Sequence, residues 1–160
     1  MYSAVIEQVY YEGKGKLIVV GDRTNDCPPY EKEPNWEEDM LNQMPEASVA
    51  TFGDYLLKNK QCTSLLESSD LKSRYTVIPD KEVMTAIRSE EAGGWDGFYR
   101  MYPNSIGFLT FSRIGFNSEV NQALVYTGRY YGVRKGRGTH VLLTKKNGSW
   151  VVVQQYKAWR

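Results

Sequence analysis

The chain has 160 residues, which is enough for one domain with a sizeable core, and its hydrophobic fraction of 41% is that of a globular protein rather than a disordered one. Twenty basic residues against nineteen acidic ones give a net charge of +1, which excludes a global attraction to nucleic acid or to an anionic membrane. No window approaches the roughly 18–20 consecutive apolar residues of a transmembrane helix, and the first residues do not have the composition of a signal peptide.

The first two thirds of the chain alternate helical patterns with short apolar runs. Apolar residues at helical spacing predict four helices and a turn or short fifth helix, at residues 2–11, 36–43, 47–60, 81–89 and 95–102. Two β-branched runs, residues 16–20 and 74–78, predict short strands. Three prolines favour a loop over residues 23–34, whereas residues 62–73 give no decisive pattern.

The last third of the chain predicts a four-strand antiparallel meander. Its strands are expected at residues 106–117, 121–133, 138–146 and 150–159. Asn147-Gly148 is typical of a type I′ hairpin turn, because that turn needs a positive φ at both central residues. A basic, glycine-rich hairpin corner at residues 132–138 joins the second strand to the third, and connections this short make neighbouring strands antiparallel.

Helices followed by a long antiparallel sheet indicate the α+β class. No repeat, low-complexity segment or linker divides the chain, so residues 1–160 are predicted to form a single domain. We expect the upstream helices to pack on one face of the meander. Glycines within its strands predict a curved sheet, and a curved sheet wrapped on helices would form a cone with an internal pocket.

His140 is the only histidine and the leading candidate for acid–base catalysis. In that hypothesis the protein is a small hydrolase or isomerase with His140 in the cone pocket beside a carboxylate. The other interpretation places His140 on the wetter face of the sheet. No Ser-His-Asp order and no nucleophile elbow accompany it, so the sequence favours a protein that is not an enzyme.

Metal and cofactor sites are not indicated. Two cysteines and one histidine make no recognisable zinc pattern, and no cofactor motif is present. Cys27 and Cys62 could form a disulfide or remain two free thiols, because pairing depends on a geometry that the sequence does not supply.

Arginines and aromatic residues are the candidates for binding. Arg113, in an apolar strand, would either pair with a helix acid or grip a ligand carboxylate. The basic hairpin corner suits an anionic partner protein, a glycan or single-stranded nucleic acid, and the net charge of +1 disfavours the last. Aromatic side chains would line a pocket or fill an ordinary core. The predicted binding residues are Trp95, Tyr99, Arg113, Tyr126, Arg129, Tyr130, Arg134 and Arg137.

Several blocks of the chain resemble a family of small exported bacterial proteins whose members are usually uncharacterised. They include Gly-Trp at residues 94–95, Ser-Arg-Ile-Gly-Phe-Asn at residues 112–117, which is the most specific, and Gln-Ala-Leu-Val-Tyr at residues 122–126. The family's glycine-rich corner carries cysteines where this chain has Tyr131 and Lys135. The resemblance implies a secreted or periplasmic protein and supplies no activity.

A looser likeness to cystatin-like and nuclear-transport-factor-like cone folds concerns architecture alone. The leading hypothesis is a non-enzymatic exported bacterial domain that binds a partner protein or small ligand through a concave sheet and the basic hairpin corner. The alternatives are the enzyme that uses His140 and an inhibitor or immunity-type protein whose helices or hairpin corner plug another protein's site.

Overall fold

The computed structural model describes residues 1–10, 15–24, 35–61, 63–65, 71, 74–89, 91 and 93–159. The helices within these ranges are α1 Tyr2–Val9, α2 Trp36–Gln43, α3 Val49–Lys58, α4 Asp80–Arg88 and α5 Gly94–Met101. The strands are β1 Leu17–Thr24, β2 Thr76–Ile78, β3 Ser105–Phe111, β4 Gly115–Phe116, β5 Gln122–Gly132, β6 Lys135–Lys146 and β7 Ser149–Trp159. Five helices and a seven-strand, mostly antiparallel open sheet confirm the α+β class for the part of the chain described. None of the described helices has the length and apolar character needed to cross a bilayer.

The strands form one sheet in the order β2-β1-β3-β5-β6-β7, with β4 paired to β5 beside this path. The strands from β3 to β7 are antiparallel neighbours, as the sequence predicts. Two features differ from the sequence interpretation. The strand expected at residues 106–117 is divided into β3 and β4, and the upstream strands β1 and β2 join the same sheet, with β1 parallel to both β2 and β3.

Helices cover both faces of the sheet, whereas the sequence predicted helices on only one face. On one face, α1 packs on β1, β3, β5 and β6 through residues that include Val5, Ile6, Val20, Val125 and Val141. On the other face, α2 and α3 contact Leu124 and Tyr126 of β5, while α4 and α5 pack around Phe108 and Tyr130. Since side chains of a strand alternate between faces, the even-numbered residues of β5 lie under these four helices and its odd-numbered residues lie under α1.

The two hairpins of the meander have short connections. Asn147 and Gly148 have φ values of 50° and 80° and join β6 to β7, which confirms the predicted turn. Between β5 and β6 the chain is more regular than expected, because only Val133 and Arg134 separate the two strands. The glycine-rich corner is therefore mostly strand, and its basic side chains have a defined register.

Candidate binding site at the hairpin corner

The hairpin of β5 and β6 gathers basic side chains on the face that carries α1. Arg129 lies directly opposite Arg137 in the register of the two strands, and Thr139, two residues further along β6, pairs with Lys157 of β7. Arg129, Arg137 and Lys157 therefore share one face of three adjacent strands. Together with Arg134 and Lys135 at the tip of the hairpin, they form what we call the cationic site.

Like charges placed directly opposite each other in a sheet are destabilising. The guanidinium groups of Arg129 and Arg137 are each held against a different aromatic ring. The guanidinium carbon of Arg129 lies 4.9 Å from the centre of the Tyr131 ring, and the Arg129 Nε donates to the carbonyl oxygen of Ile106 at 2.8 Å. The guanidinium carbon of Arg137 lies 5.0 Å from the centre of the Tyr10 ring. Cation–π contacts of this kind orient a charge without neutralising it.

Tyr10, which lies against Arg137 and near Arg129, does not offset the positive charge of these two arginines. Its side chain is buried, and its hydroxyl shares a hydrogen bond of 3.1 Å with the hydroxyl of Thr127. Burial raises the pKa of Tyr10 although the Thr127 hydrogen bond and the nearby arginines act in the opposite direction. The phenol is therefore neutral at physiological pH and contributes no negative charge to the cationic site.

A surface pocket of about 340 Å³ opens at the tip of this hairpin. The residues around it carry four positive charges, from Arg134, Lys135, Arg137 and Lys157, beside Tyr131 and Gly136. Arg134, Lys135 and Lys157 are exposed and form no ion pair with any residue that the structure describes. Such an arrangement can accept a carboxylate or another anionic group by charge-assisted hydrogen bonding.

The predicted aromatic binding residues support this corner from the opposite face of the sheet. The Tyr99 hydroxyl of α5 donates to the carbonyl oxygen of Tyr131 at 3.0 Å, and the Trp95 ring lies 5.9 Å from that of Tyr99. The ring of Tyr130 lies 5.5 Å from that of Trp159. The Tyr99 bond holds the backbone of the hairpin at Tyr131, and none of Trp95, Tyr99 and Tyr130 lines the pocket.

Tyr126 and His140 are cross-strand neighbours in the core beneath α3. The Tyr126 hydroxyl accepts a hydrogen bond of 2.7 Å from the indole nitrogen of Trp159. The His140 ring is fully buried, and its Nε2 lies 3.3 Å from the Tyr55 hydroxyl. Burial lowers the pKa of His140 to about 3. A general base must reach its substrate and be poised near the working pH, so this environment favours a structural histidine.

Arg113 lies away from the cationic site, in the segment between β3 and β4. Its Nη1 donates to the carbonyl oxygen of Lys58 at 3.1 Å, at the end of α3. Its backbone N–H donates to Oδ1 of Asn59 at 2.8 Å, and Nδ2 of Asn59 donates back to the Arg113 carbonyl oxygen at 3.0 Å. This pairing interrupts the strand and ties it to α3, so the structure separates Arg113 from the other predicted arginines.

We expect Asn59→Ala to lower the free energy of unfolding by about 1.5 kcal/mol, because the buried amide satisfies both backbone groups of Arg113. Urea unfolding measures the change. Asn42→Ala, at an exposed position of α2, is the matched control and should be nearly neutral. Equal stabilities of the two variants would contradict a role for Asn59 in holding the strand to the helix.

Lys157 joins the site without having been predicted, whereas Lys135 lies within the predicted corner and Tyr131 adjoins it, although neither was named among the predicted binding residues. Among the described residues no group of three or more His, Cys, Asp and Glu side chains could hold a metal ion. Cys27 and Cys62 lie outside the residues that the structure describes. The two alternatives for them, a disulfide or two free thiols, therefore stay as the sequence leaves them.

The fold and the corner define an α+β protein with a cationic surface site. Comparison of the chain with models of protein families, with curated proteins and with solved structures gives no match. The resemblance to exported bacterial proteins therefore stays a prediction.

Proposed function

We propose that the protein is a non-enzymatic binding domain that recognises an acidic partner protein through the cationic site. One observation carries the proposal: Arg134, Lys135, Arg137 and Lys157 line one surface pocket, and three of them are exposed without an ion-pair partner among the described residues. Charges held in this way steer an anionic partner and fix its orientation.

Exposed apolar surface at the same hairpin favours a protein partner over a nucleic acid. The side chain of Val133 is 77% exposed and that of Tyr131 is 37% exposed. Tyrosine, arginine and apolar contacts beside a charged rim are common in protein–protein interfaces. The net charge of +1 gives the rest of the surface no attraction for a polyanionic backbone.

The setting of this function, as a secreted or periplasmic protein of a bacterium, belongs to the same proposal. Its support is the resemblance of residues 112–117 and the blocks around them to exported bacterial proteins. The enzyme hypothesis has less support, because the buried environment of His140 does not suit a general base. A partner-plugging inhibitor would be one form of the binding domain proposed.

Charge reversal at the hairpin tip tests the proposal, with poly-L-glutamate as the acidic probe. We expect the double variant Arg134→Glu, Lys135→Glu to bind the probe at least about tenfold more weakly, a loss of roughly 1.4 kcal/mol. Fluorescence anisotropy at low and at physiological ionic strength measures the affinity, which should fall with added salt.

The matched control is the double variant Lys145→Glu, Lys146→Glu, which makes the same charge change at the other, exposed end of β6. It should retain the affinity of the unmodified protein within about twofold, since its charges lie away from the pocket. Equal losses in the two double variants would show a diffuse charge effect and overturn the proposal. Tighter binding of single-stranded DNA than of poly-L-glutamate would also overturn it.

A further inference from the structure

A second surface pocket, of about 280 Å³, lies at the end of the sheet away from the hairpin corner. It opens where β1 and β3 end, since Thr24 is paired with Phe111 at the ends of these two parallel strands. The crevice beyond the carboxyl ends of parallel strands is a common place for a ligand in open sheets, because the chains diverge there. The pocket is separate from the cationic site.

The wall of this pocket is held by reciprocal hydrogen bonds. The backbone N–H of Thr24 donates to the carbonyl oxygen of Thr63 at 2.9 Å, and the N–H of Thr63 donates to Oγ1 of Thr24 at 2.9 Å. The N–H of Leu65 donates to the carbonyl oxygen of Asp22 at 2.7 Å. The Thr24 hydroxyl accepts one bond in this arrangement, and none of the residues that the structure describes accepts its proton, which leaves the proton to a ligand.

Two cations, Lys58 and Arg113, also line this pocket. Lys58 forms an ion pair of 2.7 Å with Asp54 and lies 5.0 Å from the centre of the Phe116 ring. Arg113 is fixed by its bond to the Lys58 carbonyl oxygen and by its backbone pairing with Asn59. The guanidinium of Arg113 has further N–H donors beyond the Nη1 group that bonds to the Lys58 carbonyl oxygen.

Asp54 offsets one of these two positive charges. Burial by itself raises the pKa of Asp54, but hydrogen bonds from Lys58 and from the backbone N–H of Phe116 leave it below its usual range. The carboxylate therefore stays ionised at neutral pH, and Lys58, Arg113 and Asp54 together carry one net positive charge. This balance suits a singly charged anion better than a multiply charged phosphate.

The remaining lining is largely apolar, from Leu65, Ile114 and Phe116. We infer that the pocket binds a small organic monocarboxylate with an apolar body. The carboxylate of the ligand pairs with Arg113 and Lys58 and accepts a hydrogen bond from the Thr24 hydroxyl. The apolar body of the ligand lies against Leu65, Ile114 and Phe116. Pockets that combine an apolar wall with a few convergent polar groups recognise small ligands in this way.

Isothermal titration with 3-phenylpropionate, and with 3-phenylpropanamide as the uncharged control ligand, tests the inference. We expect saturable binding of the carboxylate and at least about tenfold weaker binding of the amide, since charge-assisted bonds are the stronger ones. The double variant Arg134→Glu, Lys135→Glu should bind 3-phenylpropionate unchanged, so failure of this inference and failure of the proposed function are distinguishable. Equal affinities for the two ligands, or no saturable binding of the carboxylate, would overturn it.

Two variants locate the ligand within the pocket. Lys58→Met should weaken carboxylate binding about tenfold, whereas Lys60→Met, an identical change at an exposed position outside the pocket, should leave it within about twofold. Thr63→Asp places a negative charge on the exposed rim and should weaken binding by a similar factor without disturbing the fold. Equal binding by Lys58→Met and Lys60→Met, or undiminished binding by Thr63→Asp, would contradict the assignment.

Discussion

Gly115→Ala is expected to lower the free energy of unfolding by about 3 kcal/mol, because β4 and α3 touch at this glycine. A Cβ added to Gly115 would lie 2.5 Å from the Cα and the Cβ of Tyr55 and closer still to its backbone nitrogen. None of these three atoms of Tyr55 can rotate away, since the backbone of this buried residue fixes the positions of its N, Cα and Cβ. Chemical denaturation of the two proteins under the same conditions measures the difference.

Gly53→Ala, in the helix that Gly115 contacts, is the matched control. Its added Cβ would meet no heavy atom within 4 Å, and Gly53 lies inside α3. Alanine is favoured over glycine in a helix interior, so this variant should gain about 0.5–1 kcal/mol. A Gly115→Ala protein as stable as the original would show that β4 and α3 are not in close contact and would contradict this packing.

The second large effect is a loss of stability in mild acid that comes from His140. Its pKa in the folded protein is lowered from 6.5 to about 3 by burial. The unfolded chain therefore takes up a proton near pH 6.5 while the folded protein does not, and stability falls as the pH falls through this interval. Between pH 8 and pH 5 we expect a loss of about 2 kcal/mol.

His140→Gln removes the titrating group and should remove that part of the pH dependence. Urea unfolding at pH 8 and at pH 5 measures it, in an interval that lies above the ordinary pKa of carboxyl groups. An NMR titration of the His140 ring provides a direct control, because its resonances should not move between pH 8 and pH 5. Protonation of the ring near pH 6.5 would contradict the sealed environment between Tyr55 and Tyr126.

Local signals predicted much of the fold. The Asn147-Gly148 turn and the long β-branched strands on either side of it depend on residues that are neighbours in the chain. The placement of β1 and β2 in the same sheet depends on pairing over long separations, and a short apolar run does not specify its partner. The burial of both sheet faces also depends on packing over long separations, because α1 covers one face while α2 to α5 cover the other.

The break between β3 and β4 could not be predicted from alternation. Residues 111–116 have the composition of a strand, yet the backbone of Arg113 bonds to the side chain of Asn59. The Ser112 hydroxyl takes the place of a ladder partner by accepting the N–H of Tyr126 at 2.8 Å. Two polar side chains, one of them distant in sequence, therefore replace the strand pairing expected there.

The cationic site was predicted in part. Arg129, Arg134 and Arg137 were found from the clustering of basic residues within one hairpin. Lys157 was missed, although counting pairs back from the two-residue turn would have placed it opposite Gly138. One irregularity in the pairing of β6 with β7, between Leu142 and Leu143, shifts that register by one residue, so the observed partner of Lys157 is Thr139. Arg113 was predicted on its own, as a strand arginine that pairs with a helix acid or grips a ligand carboxylate, and the structure places it on the Lys58 carbonyl oxygen, away from the corner.

The central claim is that the hairpin corner is the surface that meets an acidic partner. NMR chemical-shift mapping during titration with poly-L-glutamate tests this claim most directly. The account predicts that the largest shifts occur at the amides of Tyr131, Arg134, Lys135 and Lys157. Shifts of equal size at Lys145 and Lys146, or none at the corner while the probe binds, would contradict it.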